Sequence, residues 1–218
     1  MEILFNRKEA GKLLSEKLLK YADTETIVLA IPKGGVPVGY EIATKLDVPL
    51  GITLIKKIGH PSNKEYAIGA VSLDSFYIDN SMNIDKKYIE SEVKRIQELL
   101  LQKQKLYEGN KQPLQLKNKT VIIVDDGIAT GNTILASIKL VKSKMPSKII
   151  VAAPVVPFEN IELIKNQVNE FIYLDAPKYF PSVGCFYEEF NQVKDDDVIS
   201  ILNQASLKMK MKKEKILF

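Results

Sequence analysis

One cysteine, Cys185, stands among 218 residues, so no disulfide can form within the chain. A lone thiol fits a reducing compartment, and a cytoplasmic protein is expected. No apolar run approaches the roughly 18 residues that a membrane-crossing helix needs. The opening MEILFNRKEAGKLL lacks the basic segment, apolar stretch and cleavage site of a signal peptide. The body of the chain also lacks an excess of charge. Lys208, Lys210, Lys212, Lys213 and Lys215 face one acid, Glu214, and that excess of +4 equals the net charge of the whole chain. A near-neutral body argues against binding a phosphate backbone, so no nucleic-acid partner is expected. Residues 208–218 read as a frayed, solvated basic tail behind a single domain, 1–207. There is no internal repeat, and no second core is expected.

The remaining sequence alternates strand and helix patterns. Buried strands are expected at 26–31, 49–57, 120–125, 148–156 and 170–176, each a nearly continuous apolar run. Helices are expected at 7–20, from Gly34–Gly35 to Leu46, at 84–109, at 131–144, over FENIELIKNQ and from Asp195–Asp197 onward. AVSL and SFYID read as short strands, GHPSNKEYAIG (59–69) as a loop, and 175–195 as an irregular, aromatic-rich hood. This order predicts an α/β fold: a mainly parallel twisted sheet with helices on both faces. Ligands of such sheets sit at the carboxyl ends of the strands.

Two segments at strand ends carry chemistry. The run VIIVDDGIATGNT (121–133) ends a strand in two carboxylates, Asp125 and Asp126, and continues into a loop rich in Gly and Thr. Carboxylates can grip a vicinal diol, or a Mg²⁺ ion directly or through water. Placed side by side they repel, which a ligand, metal or donor must offset. An acidic helix N-terminus is the plainer reading, but the helix is expected only from about Thr130–Asn132. Gly127 and Gly131 permit tight backbone, Thr130 and Thr133 supply hydroxyls, and the next helix offers unpaired N–H groups to a phosphate. Asn132 stands where a Walker loop needs Lys. The second segment is Pro32-Lys33-Gly34-Gly35. Alone it is a plain turn, yet Lys33 brings charge and the glycines let amides approach an anion.

In this order, the two segments resemble the type I phosphoribosyltransferases, in a phosphoribosyltransferase-like branch, over about residues 5–205. The resemblance implies that Asp125 and Asp126 hold the ribose hydroxyls of phosphoribosyl pyrophosphate. Gly127, Ala129, Thr130, Gly131, Asn132 and Thr133 would belong to the 5-phosphate loop. Pro32 to Gly35 would hold pyrophosphate, with a cis peptide falling at Pro32–Lys33. It further implies Mg²⁺ as cofactor, a homodimer, and a mobile loop at KKIGHPSNKEYAIGAV (56–71). In that loop Lys56 and Lys57 would screen pyrophosphate, and His60, Lys64 and Glu65 would enter the closed site. Glu65 is the preferred acid/base and His60 the alternative, although a lone loop histidine is commonly only solvated. Lys33 would aid the leaving group. Phe180, Phe186 and Tyr187 would stack on a base-like acceptor, or simply pack as satellite core. Hypoxanthine-guanine enzymes carry an acid where Ala129 stands, so the acceptor is left unnamed. A sensor of phosphoribosyl pyrophosphate without turnover, or a ribose-phosphate hydrolase or phosphorylase, are the rival readings.

Overall fold

The computed structural model describes residues 3–22, 24–78, 84–109 and 114–216. Five parallel strands form the main sheet: β1 (Thr26–Ala30), β2 (Leu50–Ile52), β6 (Thr120–Val124), β7 (Lys148–Val155) and β8 (Glu170–Asp175), in the order β2-β1-β6-β7-β8. Every residue of β1 is buried, as are seven of the eight in β7, which is why these strands read as unbroken apolar runs. Alternate side chains face opposite sides. Leu29, Ile123 and Val151 pack with Ile134 and Ile138 of α4 (Asn132–Lys142) and Ile161 of α5 (Ile161–Lys165). Val28, Ile122 and Ile150 pack with Leu14 of α1 (Arg7–Lys17) and Ile42 and Leu46 of α2 (Gly35–Leu46). The expected α/β sandwich is therefore present. Among the described residues no helix is long and apolar enough to cross a membrane.

Three expectations need correction. The strand expected at 49–57 is broken. β2 leaves the main sheet after Ile52, and β3 (Lys56–His60) enters a second, antiparallel sheet, β3-β4-β5. Lys56 and Lys57 are exposed, and a buried sheet would strip their charges of water. The loop expected at 59–69 is the hairpin of β3 with β4 (Asn63–Val71), completed by β5 (Phe76–Ile78). Its glycines suggest a loop, but they serve close strand contact. A Cβ on Gly59 would stand 2.4 Å from the Lys64 carbonyl, and one on Gly69 2.2 Å from that of Tyr77. Finally, the last helix, α6 (Asp195–Ile216), runs through most of the segment expected to fray. Three acids in its first turn favour that end.

Against the expectation of a single core, the small sheet has a core of its own. Ile58, Ile68 and Val71 meet Val93, Ile96 and Leu100 of α3 (Lys86–Glu108), while the sheet also lies against α4. Ile68→Ala should therefore cost about 2–5 kcal/mol in denaturant unfolding. Hydrogen exchange should show amides of β3–β5 losing protection ahead of those in β6 and β7. Equal loss across both sheets would mean the hairpin is not a separate packing unit.

Candidate functional site

The register of β1 against β6 places two loops side by side. Ala30 lies opposite Val124, and the Ile31 amide extends the pairing by donating to the Val124 carbonyl at 2.8 Å. Residues 32–35 and 125–126 therefore leave adjacent strands at the same end. The Pro32–Lys33 peptide is cis. The Gly35 amide donates back to Ile31 O at 3.0 Å and starts α2. The two segments touch so closely that a Cβ on Gly34 would lie 1.9 Å from Asp126 Oδ2. One on Gly35 would lie 2.6 Å from the Val124 carbonyl. Only glycine fits at Gly34 without moving the carboxylate.

Asp125 and Asp126 are both partly buried. Asp125 Oδ1 accepts the Asp126 amide at 2.9 Å. Burial, and then the charge of Asp126, push the Asp125 carboxyl well above the ordinary carboxylate range. Asp126 has a cation of its own: Arg7 Nε lies 2.7 Å from Oδ2. Arg7 is the first residue of α1, directly after the cap Asn6. Its guanidinium stacks 3.8 Å above the Phe190 ring centre, and its Nη1 donates to Asn191 O at 2.8 Å. Beneath the pair, the Tyr187 hydroxyl donates to the Asp126 carbonyl at 2.6 Å. Burial is the main reason its phenol is held protonated far above the usual range.

Past the pair, the chain turns against β7. Ile128 N donates to Val155 O at 2.9 Å, and Asn160 Nδ2 donates to Ala129 O at 2.7 Å. Gly131, at φ 78°, precedes α4 without any side-chain cap on the helix's first amides. Thr130, Asn132 and Thr133 are exposed there. A helix start with open N–H groups and hydroxyls alongside is an anion cradle in waiting.

A model of the phosphoribosyl transferase domain matches residues 2–174. The chain belongs to the phosphoribosyl transferase family. A Mycobacterium tuberculosis (strain H37Rv) protein named "Putative phosphoribosyl transferase" is 30% identical over 210 residues, 94% of this chain and 47% of that protein. The chain thus spans about half the length of the curated relatives it matches. The crystal structure of TT1426 from Thermus thermophilus is 33% identical, with a TM-score of 0.85 over 94% of this chain and 99% of that one. AQ2163 from Aquifex aeolicus shares the fold at 15% identity and a TM-score of 0.51, over 82% and 78% of the two chains.

Within this phosphoribosyl transferase fold the other singled-out residues fall in different places. A cavity of about 450 Å³ is lined by Arg7, Lys33, Gly34, Asp126, Phe190, Gln192 and Val193. Lys33 lies 3.1 Å from Asp195 Oδ1. Tyr187 is buried under Asp126 and stacks on Phe190, so it supports the site and offers no free ring face. Phe180 and Phe186 pack on one another at 5.0 Å and, like Lys56, Lys57 and His60, are not among the cavity's lining residues. His60 sits at the hairpin tip, where Nδ1 accepts the Ser62 amide at 3.2 Å. Lys64 points to α3, donating to the Tyr88 hydroxyl at 2.6 Å. The side chain of Glu65 lies outside the described residues. Arg7 and Phe190 escape a reading of the sequence because nothing in NRKE or EEFN marks them locally. They reach the cavity only when the segment before α1 meets the one around residue 187, through the bridge of Leu4 to Tyr187.

Two outcomes are expected. Gly34→Ala should destabilise the fold by about 1–3 kcal/mol through overpacking against Asp126, read by thermal unfolding. Asp125→Asn should melt higher than the parent at pH 7. The folded state holds the Asp125 proton more tightly than the unfolded chain, so the parent loses stability as pH rises above the ordinary aspartate value of 3.8. The difference in Tm should vanish below about pH 4. A constant difference across pH would remove the ionisation account.

Proposed function

We propose that this protein is a cytoplasmic, Mg²⁺-dependent phosphoribosyltransferase that moves the phosphoribosyl group from phosphoribosyl pyrophosphate to a nitrogenous base or related small acceptor, releasing pyrophosphate. The observation that supports this reading is the contact between the 32–35 loop and the Asp125–Asp126 pair, which brings glycine amides and Lys33 beside two carboxylates. In it, Asp125 and Asp126 accept hydrogen bonds from the ribose hydroxyls. The amides and hydroxyls of Gly127 to Thr133 hold the 5-phosphate at the start of α4. Lys33 and the backbone of Gly34–Gly35 take the pyrophosphate. The acceptor enters the cavity beside Phe190 and Gln192.

The residues fit Mg²⁺ in donor chemistry. Among the described residues no cluster of three or more His, Cys, Asp and Glu forms. Two hard carboxylates at a strand end suit an ion that keeps waters and shares substrate oxygens. When bound, it would neutralise negative charge on the leaving pyrophosphate. The protein's own part is positioning. Holding ribose and pyrophosphate on adjacent strand ends fixes the bond to be broken, and Lys33 stabilises the charge that grows on the leaving group. The β3–β4 hairpin carries His60 and Glu65 as candidates to pass a proton, with Lys56 and Lys57 as cations at its base.

The test is incubation with phosphoribosyl pyrophosphate, Mg²⁺ and a panel of bases, following pyrophosphate release. Release that requires one of the bases supports transfer. Release without any base would replace it with a hydrolase, and binding without release with a sensor. Asp126→Asn should lower kcat/KM about 10- to 100-fold, the loss expected for a charged hydrogen bond of roughly 1.5–3 kcal/mol.

A further inference from the structure

Beside the 32–35 loop stands a second cation that this reading leaves without a task. Lys103 lies on α3, and its Nζ is 3.2 and 3.1 Å from the two carboxylate oxygens of Asp195. Lys33, from the loop, approaches the same Oδ1 at 3.1 Å. Tyr107, one turn beyond Lys103, donates its hydroxyl to that oxygen at 2.5 Å. Three donors from two separate elements thus converge on a single carboxylate oxygen at the start of α6. Two ammonium groups this close repel unless an anion lies between them. The side chains of Lys33, Lys103 and Asp195 are 39%, 43% and 34% exposed, so a solute can reach all three. Lys33 also lines the cavity, as does Val193, two residues before Asp195.

We propose that Lys33, Lys103 and Tyr107 form a phosphoanion site whose place is kept by Asp195, and that the pyrophosphate end of the donor takes the carboxylate's place. The proposal rests on the transferase reading above. Several acceptor oxygens and more than one negative charge match two ammonium groups and a hydroxyl better than one carboxylate does. The exchange costs little, because partly exposed ion pairs are weak. The displaced Asp195 remains favourably placed at the N-terminus of α6. Lys103 and Tyr107 are then pyrophosphate ligands, and Asp195 is an internal competitor of the donor.

The test titrates the full chain with pyrophosphate, and separately with phosphoribosyl pyrophosphate, by calorimetry at low salt. The parent is compared with Asp195→Asn, Lys103→Met and Asp126→Asn, with the Tm of each recorded. Asp195→Asn should bind pyrophosphate roughly three- to tenfold more tightly, and Lys103→Met more weakly by about the same factor. A carboxylate that merely holds Lys33 in place would act the other way, so weaker or unchanged binding in Asp195→Asn overturns the proposal. Unchanged binding in Lys103→Met also overturns it, and that variant decides alone if Asp195→Asn does not fold. If the donor binds and Asp126→Asn abolishes its binding while those two variants are silent, the transferase reading stands and this inference falls. If pyrophosphate follows the expected pattern but the donor does not bind, Lys33, Lys103 and Tyr107 still hold an anion, but the transferase reading and the donor's part in this inference fall. If neither binds, both fall.

Discussion

The parallel register that sets Ala30 opposite Val124 is the constraint on which the rest of the site depends. Main-chain hydrogen bonds fix it, and the two cores on either face of the sheet hold it. A slip of β1 by one residue would turn Ile27 and Leu29 away from the core they share with Val121, Ile123 and α4, onto the wrong face. That penalty, spread over many buried groups, is far larger than any single contact at the strand ends. So the sheet can hold Gly34 against Asp126 although the contact gains nothing in apolar burial. The site inherits its precision from the core.

That rigidity also explains how two adjacent carboxylates are tolerated. The strain of like charges is shared out among groups that reach the pair from elsewhere in the chain. Arg7 supplies the opposite charge and the Tyr187 hydroxyl fixes the backbone beneath Asp126. Burial, with the charge of Asp126, raises the Asp125 carboxyl above the ordinary carboxylate range. Arg7 is itself placed by Phe190 and Asn191, and the bridge of Leu4 to Tyr187 ties the segment before α1 to the segment before α6 at this point. The acidic pair is thus a long-range construction, although its two members are neighbours in sequence.

This difference governs what can be read in advance. The pairing of the 32–35 and 125–133 segments comes from the family resemblance, whereas the strands of the main sheet and the start of α4 near Asn132 follow from local patterns of apolar runs and glycines. These signals are short, and a linear reading recovers them. The hairpin is not legible in this way, because glycine at Gly59 and Gly69 says loop by propensity and close strand contact only by its neighbours. Tyr187 carries the same aromatic signal as Phe180 and Phe186, yet its hydroxyl faces a backbone carbonyl 61 residues away. Arg7, Lys103 and Asp195 are ordinary helix residues until α1, α3 and α6 are brought to the strand ends.

The two sides of the cavity consequently obey different rules. On the β6 side, residues 125–133 form one continuous segment whose conformation is set by its strand and helix. Change there acts directly on whatever is held. On the side of Lys33, the charge that faces the cavity is set by a balance among three elements, since Asp195 belongs to α6 and its other partners to α3. α3 in turn carries the core of the small sheet, on whose hairpin His60 lies. The physical link is short, running from Lys103 to Ile96 and Leu100 on one helix and from these to Ile58 and Ile68 in the sheet. The cation that faces Asp195 and the core of the small sheet are thus carried on one helix, α3.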